Sequence, residues 1–402
     1  MSTPLILMRR HLRVHWVRTT LTGLALVVAV FLFCFLISIV TTLQGAVEMA
    51  AKDRVITQSA VSLFVELPLD YQAKIAAVPG VEAVTKFQWF GGIYQTEENF
   101  MSQFAIDHEV FFDMYRSELE ILEGPGVTGP AARQAVIDAV KADRRACVVG
   151  ESLSNEFGWK VGDTVPLIGK IFPKVDGSVW DFNIVGIYKP AKSNVDPRTI
   201  WFRFDYLDET LREGGATGPS GCGVYSINVL PTADPAQVIA DVDALFANGP
   251  QRTLTTTEAA FQAGFVSMMG NVPFFVGTIG GAVVFAVFFS VVNTMLMSAR
   301  QRTHEFGILK ALGFSDGALG RLLLVESITL SLIGGAAGAA IAYFLQGGML
   351  AVLGSMFPGY SVVPTTALMG LGVALIIGLV AGIAPAVLAS RLVPTAALRS
   401  EG

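Results

Sequence analysis

The residues from which this chain could build a reactive or ligand-binding site are few and widely spread. Its four histidines, His11, His15, His108 and His304, are scattered across regions that cannot meet, and only His108 falls in the long polar insert, near Asp107 and Glu109. A zinc site draws His, Cys or carboxylate ligands together at fixed short distances, and three consecutive residues do not supply that set, so the trio reads as a solvated turn. Gly124-Pro125-Gly126-Val127-Thr128-Gly129 fits G-x-G-x-x-G by letter. A dinucleotide site needs that motif to follow a strand and open a helix, so that backbone N–H groups meet the pyrophosphate. Here no strand is evident before it, no clear helix follows, and Pro125 and Pro130 interrupt it. Gly169-Lys170 is followed by Ile171 and has no glycine five residues upstream, so no P-loop for ATP is present. Cys147 and Cys222 could pair in an oxidising compartment, or Cys147, in an apolar run, could be a buried thiol. Cys34 cannot reach them, and no cysteine or serine has a base close in sequence. The expectation is a chain that is not an enzyme and carries no catalytic residue, metal or cofactor of its own.

What remains is a charged segment set between two apolar runs, Ser298-Ala299-Arg300-Gln301-Arg302-Thr303-His304-Glu305-Phe306-Gly307-Ile308-Leu309-Lys310-Ala311-Leu312-Gly313-Phe314. Anchoring a membrane protein with positive charge inside accounts for Arg300, Arg302 and Lys310. It does not account for Glu305, or for Gly307 and Gly313, which cost a helix about 1 kcal/mol each relative to Ala. A contact helix seated in a groove of a partner would use all three. The candidate contact residues are therefore Arg302, Glu305, Gly307, Lys310 and Gly313.

The elements that position this segment follow from composition. Across 402 residues, 52% are hydrophobic and only 15% charged, with a mean hydropathy of +0.56, against roughly 25% charged in soluble domains. Leu21–Val40 carries no ionisable side chain except Cys34, and about 20 such residues at 1.5 Å each cross the roughly 30 Å hydrocarbon core. Similar runs cover about 272–297, 322–346 and 366–390. Arg9, Arg10, Arg13 and Arg18 precede the first span, Arg300, Arg302 and Lys310 follow the second, and Arg391 and Arg399 follow the fourth. The loop Gly347–Pro364 has no Lys or Arg, so both termini and the charged segment are expected in the cytoplasm and the polar insert outside. A cleaved signal peptide competes for the N-terminus, but its apolar core would be shorter and no A-x-A site follows Val40.

The predicted fold class is an α-helical membrane protein with four transmembrane helices and a large α+β extracytoplasmic domain inserted between helices 1 and 2. The expected order is an interfacial amphipathic helix at 1–18, spans at 19–43, 271–298, 321–346 and 366–390, the external domain with its stalks at 44–270, the charged loop at 299–320, a short external loop at 347–365 and a cytoplasmic tail at 391–402. Three small-x-x-x-small pairs, Gly277/Gly281, Gly334/Gly338 and Gly378/Gly382, let helix backbones approach. Glu326 is either an intramembrane acid or a carboxylate near the interface paired with Arg321 or a neighbouring helix. No ladder of acids or histidines marks an ion path. With a net charge of −5 and no external basic run, nucleic acid is not an expected partner.

Within the insert, Ser62–Glu66 reads as a strand, Asp70–Val78 as a helix and Val81–Phe90 as a strand. Val224–Leu230, Pro235–Phe246 and Arg252–Thr256 read as a second strand-helix-strand unit. The middle portion, about 97–222, has strand candidates at Ala146–Val149, Thr164–Ile168 and Phe182–Tyr188, and reads as an insertion between two halves of one α/β domain. Gln44–Val55 and Thr257–Gly270 read as helical stalks, or as amphipathic helices packed on their own domain.

Arg302-Thr303-His304-Glu305-Phe306-Gly307-Ile308-Leu309-Lys310-Ala311-Leu312-Gly313, with Asn293-Thr294-Met295 before it, resembles the cytoplasmic loop of the permease superfamily that includes FtsX, MacB and LolC/LolE. The closing Gly382-Ile383-Ala384-Pro385-Ala386-Val387-Leu388-Ala389-Ser390-Arg391-Leu392-Val393-Pro394-Thr395-Ala396-Ala397-Leu398-Arg399 resembles that superfamily's G-x-x-P-A-x-x-A-x-R-x-x-P-x-x-A-L-R. Val78-Pro79-Gly80-Val81 and the turn Gly158-Trp159-Lys160-Val161-Gly162-Asp163 extend the likeness to the external region. The resemblance implies a MacB-like external domain and a permease subunit in the bacterial inner membrane, working as a homodimer or heterodimer with a dimer of cytoplasmic ABC ATPases that holds the ATP and Mg. It implies coupling through the loop, an envelope substrate such as a lipoprotein, lipid, peptide or drug, and a periplasmic adaptor or carrier. The alternative it implies is an FtsX-like signal transmitter that regulates an external hydrolase or a sensor.

Overall fold

The computed structural model describes residues 16–48, 50–99, 101–192, 195–268, 272–353 and 359–391. The interfacial helix expected at 1–18, apart from its last three residues, and the tail beyond Arg391 lie outside the described residues. The chain divides into two compact units, one of Met1–Thr42, Asn271–Val352 and Tyr360–Gly402, the other of Leu43–Gly270 with Leu353–Gly359. It enters through α1 (Trp16–Glu48), whose apolar stretch Thr19–Gly45 is 27 residues long.

The second unit is built on one mixed sheet. In chain order its elements are β1 (Arg54–Ser59), α2 (Tyr71–Ala76), β2 (Val81–Trp89), β3 (Gly92–Ile93), β4 (Ser102–Ile106), α3 (Phe111–Met114), β5 (Leu119–Gly124), β6 (Val127–Thr128) and α4 (Ala132–Ala142). There follow β7 (Ala146–Gly150), α5 (Glu151–Phe157), β8 (Thr164–Gly169), β9 (Trp180–Pro190), β10 (Thr199–Arg203), α6 (Phe204–Arg212), β11 (Val224–Val229), α7 (Pro235–Phe246), β12 (Thr253–Thr257) and α8 (Glu258–Met268). The strand order is β12-β1-β11-β2-β4-β10-β7-β9-β5-β6, with β8 joining β9 and β3. Strands from the two ends of the insert thus interleave, β1 lying between β12 and β11 with both pairings antiparallel.

Local rules account for several elements. In β8, Val165 and Leu167 are buried while Thr164, Pro166 and Ile168 are exposed, the period of two of a strand with one covered face. Helix α7 starts where the Asp234 carboxylate accepts the Ala236 N–H at 3.0 Å, with Pro235 in the first turn, and buries Val238, Val242 and Phe246 at four-residue spacing. The main core is aromatic at its centre, where Phe90 packs against Phe172, Trp180, Phe182 and Phe202. A second cluster on the other side of the sheet joins Phe111, Leu119, Val136 and Tyr188.

Several sequence expectations change here. Ser62–Glu66 is a turn region, and the strand lies earlier, at Arg54–Ser59, where β11 and β12 pair its backbone on both sides and Val55 and Ile56 are buried on opposite faces. Helix α1 stops at Glu48, so the stalk expected over Gln44–Val55 ends in β1. The two halves do join, in β12-β1-β11-β2, and the middle portion inserted between them in chain order extends their sheet through β4, β10, β7, β9 and β5. Gly124–Gly129 does follow a strand, but it turns an antiparallel hairpin between β5 and β6, the wrong geometry for a pyrophosphate. Cys147 and Cys222 are both fully buried free thiols. Whether α8 continues to the next helix falls on residues 269–271, outside the described set.

The first unit adds α9 (Val272–Gln301), α10 (Thr303–Ala311), α11 (Asp316–Leu353) and α12 (Pro364–Ser390). With α1 these give, among the described residues, four helices long and apolar enough to cross a membrane, their apolar stretches running 27–35 residues. In lipid, helices associate through close packing rather than water exclusion, and small residues carry it here. A Cβ on Gly338 would stand 2.5 Å from the Val27 carbonyl oxygen, and one on Gly334 2.8 Å from the Leu26 Cβ, so α11 presses its backbone onto α1. Gly378 and Gly382 bring α12 against Ser331 and Ser327 of α11 in the same way, at 3.0 Å each. Gly277 and Gly281 on α9 have nothing within 4 Å of a Cβ. Leu26, Val291, Met295, Ile377 and Ala381 form the core shared by α1, α9 and α12.

Candidate functional site: a pinned helix between two spans

The charged segment folds into α10, a short helix set between α9 and α11. Arg302 is the residue before its first turn, with φ −99° and ψ 10°, which breaks the run of α9 and turns the chain. Its guanidinium is 5% exposed and donates to Glu326 on α11 at 2.7 Å, with Glu305 3.7 Å away and the Phe306 ring 5.3 Å from its carbon. Glu326, 14% exposed, therefore pairs with a neighbouring helix and not with Arg321, which faces outward. Charge-assisted pairs of this length are the strong ones.

Lys310 pins the other end. Its ammonium, 7% exposed, donates to the Ser390 carbonyl at 2.8 Å and stands 2.8 Å from Asp316. Ser390 closes α12 and Asp316 opens α11. The cation meets the carbonyl end of one helix while the acid meets the N–H end of the next, the favourable sign at both macrodipoles. Gly313 stops α10: at φ +91° it lets its own N–H reach Lys310 O at 3.0 Å and the Phe314 N–H reach Leu309 O at 3.1 Å, the paired bonds of a Schellman cap. No neighbour lies within 4 Å of a Cβ there, so backbone conformation, not close approach, requires glycine. Gly307 is buried beside Phe306, which sits on Ala299, Leu319, Leu323 and Ala389.

The five candidate residues are thus brought together on one short helix but do different things. Arg302 and Lys310 face inward and fix α10 to α11 and α12, Gly307 is buried, Gly313 ends the helix, and Glu305 faces outward, its side chain 51% exposed. Beside Glu305 stand Ile308 at 42% and Leu312 at 72% exposure. Glu305, Ile308 and Leu312 recur at three- and four-residue spacing and form one stripe. Sequence reading passed over Ile308 and Leu312, although two apolar residues four apart on a charged helix were visible. It also passed over Asp316 and Ser390, whose roles depend on helix ends that only the fold brings together.

Residues 277–394 match the C-terminal region of FtsX-like permeases, and residues 19–245 match the MacB-like periplasmic core domain. The macrolide export ATP-binding/permease protein MacB of Sodalis glossinidius is 27% identical over 295 residues, 70% of this chain and 41% of that protein. The ABC transporter permease YknZ of Bacillus subtilis, uncharacterized, is 36% identical over 252 residues, 61% of this chain and 57% of that one. The chain therefore spans about two-fifths to three-fifths of these relatives. Among solved structures, the periplasmic region of MacB from Actinobacillus actinomycetemcomitans aligns with a TM-score of 0.37 at 10% identity, over 54% of this chain and 94% of that one. With more than half of its length matched by the periplasmic core and its last three long helices by the permease region, the chain belongs to the MacB/FtsX-like ABC transporter permease family.

Proposed function

We propose that this chain is the transmembrane permease subunit of an ABC transporter in the bacterial inner membrane, with both termini and α10 in the cytoplasm and the sheet-based unit outside. A dimer of cytoplasmic ATPases, holding ATP and Mg, docks on α10. Two permease chains, identical or related, complete the complex, with the unpacked α9 face bearing Gly277 and Gly281 as their contact. ATP-driven motion passes through the membrane helices to the external unit and moves an envelope substrate, a lipoprotein, lipid, peptide or drug, to a periplasmic adaptor or carrier.

The observation that supports this reading is the construction of α10. A topology anchor needs only positive charge, yet here the two cations are turned inward and held, while an acid and two apolar side chains are presented outward. A rigidly mounted helix with an exposed apolar stripe is suited to take force from a groove. Burying one such side chain is worth about 1.5–3 kcal/mol, roughly a ten- to hundredfold change in affinity. Ile308→Asp and Glu305→Lys should therefore strip the ATPase from the purified complex or uncouple its hydrolysis, while insertion and dimerisation stay intact. Wild-type co-purification and wild-type ATPase rates in both variants would return α10 to the role of an anchor.

A further inference from the structure

The second unit holds a buried ion network that the reading above does not use. Arg54, buried on β1, donates through Nη1 to Glu118 at 3.0 Å and to Glu258 at 3.3 Å, through Nη2 to the Met114 carbonyl at 3.3 Å, and through Nε to Asn228 at 3.3 Å. Its carbon lies 3.9 Å from the centre of the Tyr115 ring. Glu258 also accepts the Ala51 N–H at 3.2 Å, and Lys192 lies 3.5 Å from Glu118. Five pieces of chain meet here, Asn228 from β11 and Lys192 from beyond β9 among them, and three concern the joint. Ala51 and Arg54 follow α1 in sequence, Glu258 is the first residue of α8 and so precedes α9, and Met114, Tyr115 and Glu118 belong to the α3–β5 segment.

The network is uneven. Arg54 holds the α3–β5 segment through Glu118, Met114 and Tyr115, but holds α8 through the single, longer contact to Glu258. Glu258 keeps a second donor, the Ala51 N–H, when that contact opens. Arg54 then keeps its charge partner Glu118, and Glu258 keeps one hydrogen-bond donor, so neither buried group is left without a polar contact. Burial, with Glu118 adding to it and Arg54 opposing it, holds the Glu258 carboxyl above the usual carboxylate range, so this acid is the weaker-held partner.

We propose that Arg54–Glu258 is a releasable joint: it ties the segments that lead to and from the first two membrane helices to the α3–β5 segment, and it opens on the α8 side while Arg54 stays with Glu118. That the joint opens in a working cycle rests on the permease reading; that it is the weak point of the network does not. The test is amide hydrogen exchange on the full chain in lipid nanodiscs. Glu258→Ala should speed exchange at Ala51 and in the first turn of α8 roughly tenfold, about the loss of one hydrogen bond to a charged group, and leave 114–119 protected. Glu118→Ala should loosen 114–119. If Glu258→Ala does not fold, Glu258→Gln takes its place, with the same pattern at smaller amplitude. Loosening of 114–119 by the Glu258 variant, or no change in either region, overturns the joint. With the ATPase and ATP added, the wild-type chain should show the faster exchange in the first turn of α8 while Ala51, still bonded to Glu258, stays protected, and the absence of faster exchange in α8 overturns opening during the cycle. Failure of any ATPase to bind overturns the permease reading alone, since the first comparison needs none.

Discussion

Gly338→Ala adds one methyl group where α11 lies on α1, and its cost can be worked from the backbone. The new Cβ would stand 2.5 Å from the Val27 carbonyl oxygen, 3.0 Å from the Phe31 amide nitrogen and 3.1 Å from the Val30 Cβ. Two of these three neighbours are main-chain atoms inside a helix, so no rotamer change relieves them and the helices must separate. Overpacking of this kind costs about 1–3 kcal/mol, set against a gain of up to about 1 kcal/mol from replacing Gly by Ala within a helix. The same substitution at Gly277, where nothing lies within 4 Å of a Cβ, keeps the gain without the clash. Measured by reversible unfolding in mixed micelles, Gly338→Ala should be less stable than wild type by up to about 2 kcal/mol and Gly277→Ala equal or more stable, a difference of roughly 1–3 kcal/mol between two chemically identical changes. Equal effects at the two positions would refute the argument that α11 rests on α1 through bare backbone.

The buried pair Arg302–Glu326 should behave as a unit: each single change to Ala strands a buried charge and costs about 3–5 kcal/mol, while the double change costs clearly less than the sum, and additive losses in a double-mutant cycle would argue against the pair. Glu258 has a raised carboxyl pKa in the fold, so its contribution to stability is fully present at low pH, below the ordinary value of 4.5, and is lost as pH rises through the folded value. Melting of the wild-type chain should thus fall relative to Glu258→Gln as pH rises from 4 to 8; a parallel pair of curves would contradict this. Burial pushes the Cys222 thiol up to about 12 and Cys147 higher still, so a maleimide should find no thiol in the native sheet-based unit at neutral pH. Ser178→Cys, on an exposed turn, should then be labelled from outside and His304→Cys only after permeabilisation, and external labelling at His304 would overturn the orientation.

The sequence by itself determined what local patterning can determine. Apolar runs of spanning length set the four long helices, because in a bilayer every backbone group must be satisfied within the segment and little else can cross. The charged segment between two such runs was legible as a helix, but Gly313, read as a point of close approach, is its stop, which its positive φ shows. Helix α7 was legible, since capping is local, from Asp234, Pro235 and the four-residue spacing of Val238, Val242 and Phe246. What the tertiary structure alone decided are the pairings between distant residues. Strand β1 has no clear alternation because successive residues on both of its faces are buried, and only its place between β11 and β12 identifies it. Arg302 and Lys310 carry the same charge as Arg300, yet two are turned inward because Glu326 and Ser390, 24 and 80 residues away, meet them there. The three glycine pairs have one spacing and two outcomes, since spacing records that a backbone can be approached and only the packed bundle decides whether another helix arrives.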